Sequence, residues 1–169
     1  MLKSLVALAT ASALLSVAAP ALAADLILDA PQVIDNGFNW EGAYVGGFLG
    51  GYPTFPAVTA GVELGYDMLV SEQVLLGIEG SALFYLAGGG APELFLHGRA
   101  GVVMDNVAIY GLAGVGTFGP FTGYLWDVGG GIEVALTDNL TFDAELFGRN
   151  MVGLLPTVPH IQAGVRYHF

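Results

Sequence analysis

The feature that most constrains this chain is an alternation of polarity with period two, sustained over segments of about ten residues between residues 38 and 169. In a strand every second side chain points to the same side. Around residues 58–68, Thr59, Gly61, Glu63, Gly65 and Asp67 share one side, and Val58, Ala60, Val62, Leu64, Tyr66 and Met68 the other. Residues 126–136 repeat this, with Asp127, Gly129, Gly131 and Glu133 opposite Trp126, Val128, Ile132 and Val134. So do residues 140–149, with Thr141, Asp143, Glu145 and Arg149 opposite Leu140, Phe142, Ala144 and Leu146. Eight such segments are expected, at 40–50, 58–68, 74–86, 93–104, 107–118, 122–136, 140–149 and 160–169. The connections alternate as well. Ser71-Glu72-Gln73, Asp105-Asn106 and Thr137-Asp138-Asn139 are tight and polar, whereas the opposite connections are rich in Gly and Pro and nearly uncharged.

Alternation alone does not say which face is inside, because a soluble barrel or sandwich would alternate too. Composition decides it. The chain is 54% hydrophobic and only 11% charged, about half the charge usual for a soluble domain. Beyond Lys3 it has no lysine, and its charged face is the glycine-rich one. Glycine relieves crowding inside a small barrel, whose eight strands leave a lumen just wide enough to fill with side chains. The expected fold is therefore all-β: an eight-stranded antiparallel transmembrane up-and-down β-barrel with its aliphatic stripes toward lipid.

The first residues read as a cleavable export signal: Lys3, an apolar run over 5–18, and Ala21-Leu22-Ala23 before a cleavage point between Ala23 and Ala24. Ser12, Ser16 and Pro20 interrupt that run, which falls short of the roughly 20 residues a spanning helix needs. The organisation expected is a signal peptide at 1–23, a periplasmic lead-in at 24–37 and a barrel at 38–169. With no cysteine in an exported chain, a disulfide framework is excluded.

Parity places Glu41, Glu63, Asp67, Glu79, Glu93, Asp127, Glu133, Asp143 and Glu145 inside, with Arg99, Arg149 and Arg166. Counting from the tight turns puts Glu79, Arg99, Glu133 and Glu145 at similar height, and Arg166 is expected to pair with Glu41 where the first and last strands meet. The expected charge network is Glu41, Glu63, Glu79, Arg99, Glu133, Glu145, Arg149 and Arg166, a plug in which the planar arginine fork bridges carboxylates. Outward aromatics should then collect in two interfacial girdles. One is Trp40, Tyr66, Phe142, Tyr167 and Phe169, and the other Phe84, Phe118, Tyr124 and Trp126, with Tyr44, Phe48 and Tyr110 less terminal.

Little here carries covalent chemistry. Ser81 and His97 face the lumen rather than lipid, and His97, His160 and His168 are too scattered for a metal site. The glycine runs lack the helix context and the lysine of phosphate loops. Three arginines against fifteen acids argue against nucleic acid as a partner. No enzymatic activity, cofactor or metal is expected.

Several segments resemble the small outer-membrane β-barrel "porin family" proteins of Gram-negative bacteria, related to opacity-type surface antigens. They are residues 38–47 (Phe-Asn-Trp-Glu-Gly-Ala-Tyr-Val-Gly-Gly), Gly77-Ile78-Glu79-Gly80, Gly98-Arg99-Ala100-Gly101 and 110–114. Further on come Gly129-Gly130-Gly131-Ile132-Glu133, Thr137-Asp138-Asn139-Leu140-Thr141, Ala144-Glu145, and Ala163-Gly164-Val165-Arg166-Tyr167-His168-Phe169. The order and spacing carry the resemblance. Two departures stand out: shorter, less polar outer loops, and Asp143 where a basic residue is common. The resemblance implies a place in the cell outer membrane, reached through the periplasm with the help of periplasmic chaperones. It also implies that Tyr167 and Phe169 form the signal read by the barrel insertion machinery.

The function expected is that of a monomeric integral outer-membrane protein, surrounded by outer-membrane lipid, with a mainly structural or envelope role and a filled lumen. A narrow cation-favouring porin is the first alternative, since an acidic lumen repels anions. A surface adhesin or antigen is the second.

Overall fold

In a computed structural model of the chain, residues 37–54, 56–87, 90–119, 123–151 and 158–169 are described. The expected export signal with its cleavage point at Ala23 and Ala24, nearly all of the lead-in, and the tips of the Gly/Pro-rich connections lie outside them.

The described residues form eight strands: β1 (Gly42–Tyr52), β2 (Ala57–Ser71), β3 (Val74–Ala87), β4 (Glu93–Met104), β5 (Val107–Phe118), β6 (Gly123–Ala135), β7 (Leu140–Met151) and β8 (Val158–His168). Each pairs antiparallel with its neighbours in chain order, and β1 pairs with β8 to close the barrel. Closure removes the sheet edges, so every strand has two hydrogen-bonding partners. The tight connections are as short as expected: Asp105 adopts φ 50, a left-handed conformation that an Asp in a two-residue turn tolerates.

Outward positions are aliphatic and aromatic. Leu64, Ile78, Leu96, Val115, Val128 and Leu146 are exposed at mid-strand. The outward aromatics gather toward the two ends: Tyr66, Phe142, Tyr167 and Phe169 at the tight-turn end, and Phe84, Tyr124 and Trp126 at the other. Among the described residues no helix is long and apolar enough to cross a membrane.

The lumen is packed by a pairing rule. A large inward side chain tends to lie beside an inward glycine on the next strand: Tyr44 opposite Gly65, Phe48 opposite Gly61, Tyr110 opposite Gly131, Phe147 opposite Gly129. A Cβ at Gly65 would run into the Tyr44 ring and one at Gly61 into the Phe48 ring. The glycines are therefore the sockets of the lumen aromatics, and the barrel fills without widening.

The same rule corrects the expected parity of β1. Trp40, Tyr44 and Phe48, expected outside, are buried inside, and Val45 and Leu49 face out. Glu41, expected inside, is exposed at the rim, where its carboxylate accepts the Leu69 N–H at 3.1 Å beside a register shift in β2. Glu41 precedes β1 and lies within reach of water, so no desolvation cost forces it inward. Gly42, at φ 130, admits the chain into the strand in a conformation that side-chain-bearing residues rarely adopt. Tyr110 and Phe118 also belong to the inner face of β5, Tyr110 buried and Phe118 half-buried.

Candidate functional site

The lumen is layered. At the tight-turn end Trp40 packs with Leu75, Val103 and Ala108, the base of an apolar cluster that climbs the lumen through Tyr110, Leu112 and Phe147. Its Nε1 donates to the carbonyl of Asp105 at 3.0 Å, and Phe38 packs edge-on against it. At the loop end Tyr52 and Tyr85 stack, nearly parallel, 6.1 Å apart. Between these aromatic lids lie eight buried carboxylates (Glu63, Asp67, Glu79, Glu93, Asp127, Glu133, Asp143 and Glu145) and the three arginines.

Arg166 is the hub, with 0% of its surface exposed. Nε donates to Glu63 Oε1 at 2.6 Å, Nη1 to Glu133 Oε2 at 2.8 Å and the Tyr110 hydroxyl at 2.9 Å, and Nη2 to Glu145 Oε1 at 2.8 Å and Glu79 Oε2 at 3.1 Å. A guanidinium has five N–H donors. All five are used, on partners from β2, β3, β5, β6 and β7.

Arg99 joins the same layer. It donates to Glu133 Oε2 at 2.8 Å and to the Tyr44 hydroxyl at 2.9 Å, and it stacks 4.0 Å above the Tyr110 ring. The two tyrosines are relays: Tyr44 donates onward to Glu79 at 2.8 Å and Tyr110 to Glu145 at 2.7 Å. Glu133 gathers Thr141 at 2.6 Å and His168 Nε2 at 3.0 Å on its other oxygen. Asp67 and Asp143 flank this layer by charge, at 3.5 Å from Arg99 and 3.7 Å from Arg166. Arg149 forms a second layer nearer the loop end, bonded to Asp127, Glu93 and the Tyr52 hydroxyl. His97 stands between the layers, 3.0 Å from Asp127 and 3.7 Å from Glu79.

Of the expected network, Glu63, Glu79, Glu133 and Glu145 meet on Arg166, Arg99 shares Glu133, and Arg149 lies in the separate layer. Glu41 takes no part. The expected seam pair of Arg166 with Glu41 is replaced by Arg166 with Glu63, because Glu41 faces away from the lumen. The tyrosine relays were missed in the sequence; their signal is the presence of Tyr rather than Phe beside glycine sockets on a charged face. Glu63, Glu79 and Glu145 converge closely enough to suggest a metal site, with oxygens within 4.8 Å of one another. The Arg166 guanidinium already bonds all three.

No protein-family model and no curated protein matches the chain. Among solved structures the chain is similar to the N-terminal β-barrel domain of Pseudomonas aeruginosa OprF, at 17% identity over 75% of this chain and 96% of that one, TM-score 0.56. It is also similar to the de novo designed barrel TMB2.3, at 13% identity over 76% and 94%, TM-score 0.53. A chain from the de novo design of transmembrane β-barrels gives 17% identity over 79% and 99%, TM-score 0.50. The fold is that of a transmembrane β-barrel. Its apolar outer face and charged, filled interior are the arrangement such a barrel needs, since lipid tolerates charge only where it is enclosed and paired.

Proposed function

We propose that this chain is an integral outer-membrane protein of Gram-negative bacteria, of the small "porin family" type, whose barrel is a closed structural element of the envelope. The tight turns would face the periplasm and the Gly/Pro-rich connections the exterior. One observation carries this reading: Arg166, Glu133, Asp143 and Thr141, all inside the barrel, are each at 0% exposure. A lumen that leaves its central charges no water contact leaves hydrated ions no path.

The cation-favouring porin rests on a different fact, the excess of eight carboxylates over three guanidiniums. Planar-bilayer recording of the refolded barrel separates the two. The closed plug is expected to give no steps above leak in molar salt, whereas steps that scale with salt and favour cations would overturn it. The role is structural rather than enzymatic, and the barrel is a monomer in outer-membrane lipid.

The same proposal assigns Tyr167 and Phe169, which alternate outward at the tight-turn end with rings 5.2 Å apart, to recognition by the insertion machinery after delivery by periplasmic chaperones. Phe169→Ala is expected to slow insertion in cells while leaving refolding in detergent intact, because Phe169, at 74% exposure, packs against little of the barrel. Pulse-chase of heat-modifiable gel mobility in cells, beside refolding of purified chain, checks this. Equal defects in both settings would make Phe169 a stability residue instead.

A further inference from the structure

The closing seam between β1 and β8 has an unusual rung. Gly46 of β1 pairs on one side with Glu63 of β2 and on the other with Arg166 of β8. Because Gly46 has no side chain, the Glu63 carboxylate passes over β1 and bonds Arg166 Nε at 2.6 Å, so that the ion pair spans the seam. The space is fully used. A Cβ at Gly46 would lie 2.7 Å from Glu63 Oε1 and 3.0 Å from Arg166 Cγ.

The flanking inward residues of β1 are Tyr44 and Phe48, both buried. A slip of β8 by two residues keeps its inward face inward but sets Arg166 opposite one of these rings. A slip by one residue turns Arg166 toward lipid. Both errors also withdraw the guanidinium from Glu79, Glu133 and Glu145 and leave those carboxylates buried without their cation. Such penalties do not arise from backbone pairing, which is nearly indifferent to a two-residue slip.

We infer that Glu63, Gly46 and Arg166 form a register key for closure of this barrel: β8 can complete the cylinder only in the register where glycine leaves room for a cross-seam ion pair. Charge and space are read together. The key lies at the pairing that joins the two ends of the sheet, which no later strand follows in chain order. The inference concerns assembly of the fold and holds whether or not the lumen conducts.

Cysteine cross-linking tests it, since the chain contains no cysteine of its own. Leu49 and Ala163 face outward and pair across the seam, so cysteines at 49 and 163 report the native register. Cysteines at 49 and 161, or at 49 and 165, report slips of two residues. A membrane-permeant oxidant is added during assembly of the full barrel into phosphatidylcholine vesicles, so chains that never mature are also counted. The otherwise wild-type sequence is expected to cross-link at 49/163 with little at the other pairs. Arg166→Met and Gly46→Val are each expected to raise the off-register share by about tenfold or more, since breaking a buried charge pair costs well beyond a factor of ten. Glu63→Gln, which keeps the shape, should raise it less.

If these variants cross-link at 49/163 with wild-type selectivity, the key is refuted, even if they are less stable. Should Arg166→Met yield no cross-link at any pair, Gly46→Val and Glu63→Gln decide, and native selectivity in both refutes the key equally. Loss of selectivity in either upholds it.

Discussion

Methionine in place of Arg166 is expected to lower the unfolding free energy of the barrel by about 3–5 kcal/mol, the range for removing one partner from a buried ion pair. Methionine is a fair match for the aliphatic stem, so the loss would be electrostatic rather than a cavity. The native guanidinium satisfies Glu63, Glu79, Glu133, Glu145 and Tyr110 at once. Without it the carboxylates remain buried beside one another, and Arg99 is the one guanidinium left in their layer, bonded to Glu133. Urea unfolding in vesicles, followed by heat-modifiable gel mobility, measures the loss. A second readout identifies the cause. Glu63, Glu79 and Glu145 would be left with oxygens within 4.8 Å of one another, a group of hard ligands suited to calcium. Calcium is expected to restore part of the stability of Arg166→Met and to leave the wild type unchanged. Glu145→Gln added to Arg166→Met should also recover part of it, by removing one uncompensated charge. A variant indifferent to both would mean that packing, not charge balance, makes Arg166 necessary.

How much of this was legible in the sequence depended on whether a strand carries a charge deep in the membrane. On β2, β6 and β7 the pairs Glu63 and Asp67, Asp127 and Glu133, and Asp143 and Glu145 fix the inner face, because a carboxylate in lipid is far costlier than one among arginines. Those parities and the eight strands followed. On β1 the nearest charge is Glu41, which precedes the strand at the water boundary and is not bound by that cost. The aromatics of β1 could have served either face, and interface girdles were the wrong guide. A better guide lay in the neighbouring strand: Gly61 and Gly65 share a face with Glu63, and such sockets demand large inward partners, here Phe48 and Tyr44. The Arg166 partners were only half legible. Parity follows from counting, as does the shared height of Glu79, Arg99, Glu133 and Glu145, but counting set Arg166 low beside Glu41; the strand tilt of a closed barrel brings it into that layer, and a flat reading of the chain does not carry that tilt.

The placement of Trp40 turns this correction of β1 into the second large effect. Trp40→Ala is expected to cost about 3–5 kcal/mol, the range for deleting a buried aromatic side chain. The ring is 2% exposed, packed with Leu75, Val103 and Ala108, and it ties the N-terminal approach to the β4–β5 turn through the Asp105 carbonyl. A tryptophan in an interfacial girdle would behave differently, since lipid and water refill the space an outward side chain leaves. Trp40→Phe separates ring from hydrogen bond: it should retain most of the packing and lose about 1 kcal/mol, for a donor withdrawn from a part-buried carbonyl. Location can be read without mutating the site. The chain has two tryptophans, and Trp126 is outward and 40% exposed. In vesicles of brominated lipid the wild type should lose the Trp126 share of its fluorescence, whereas a Trp126→Phe barrel, reporting Trp40 alone, should be quenched little. Strong quenching of that lone Trp40 would return it to the lipid face.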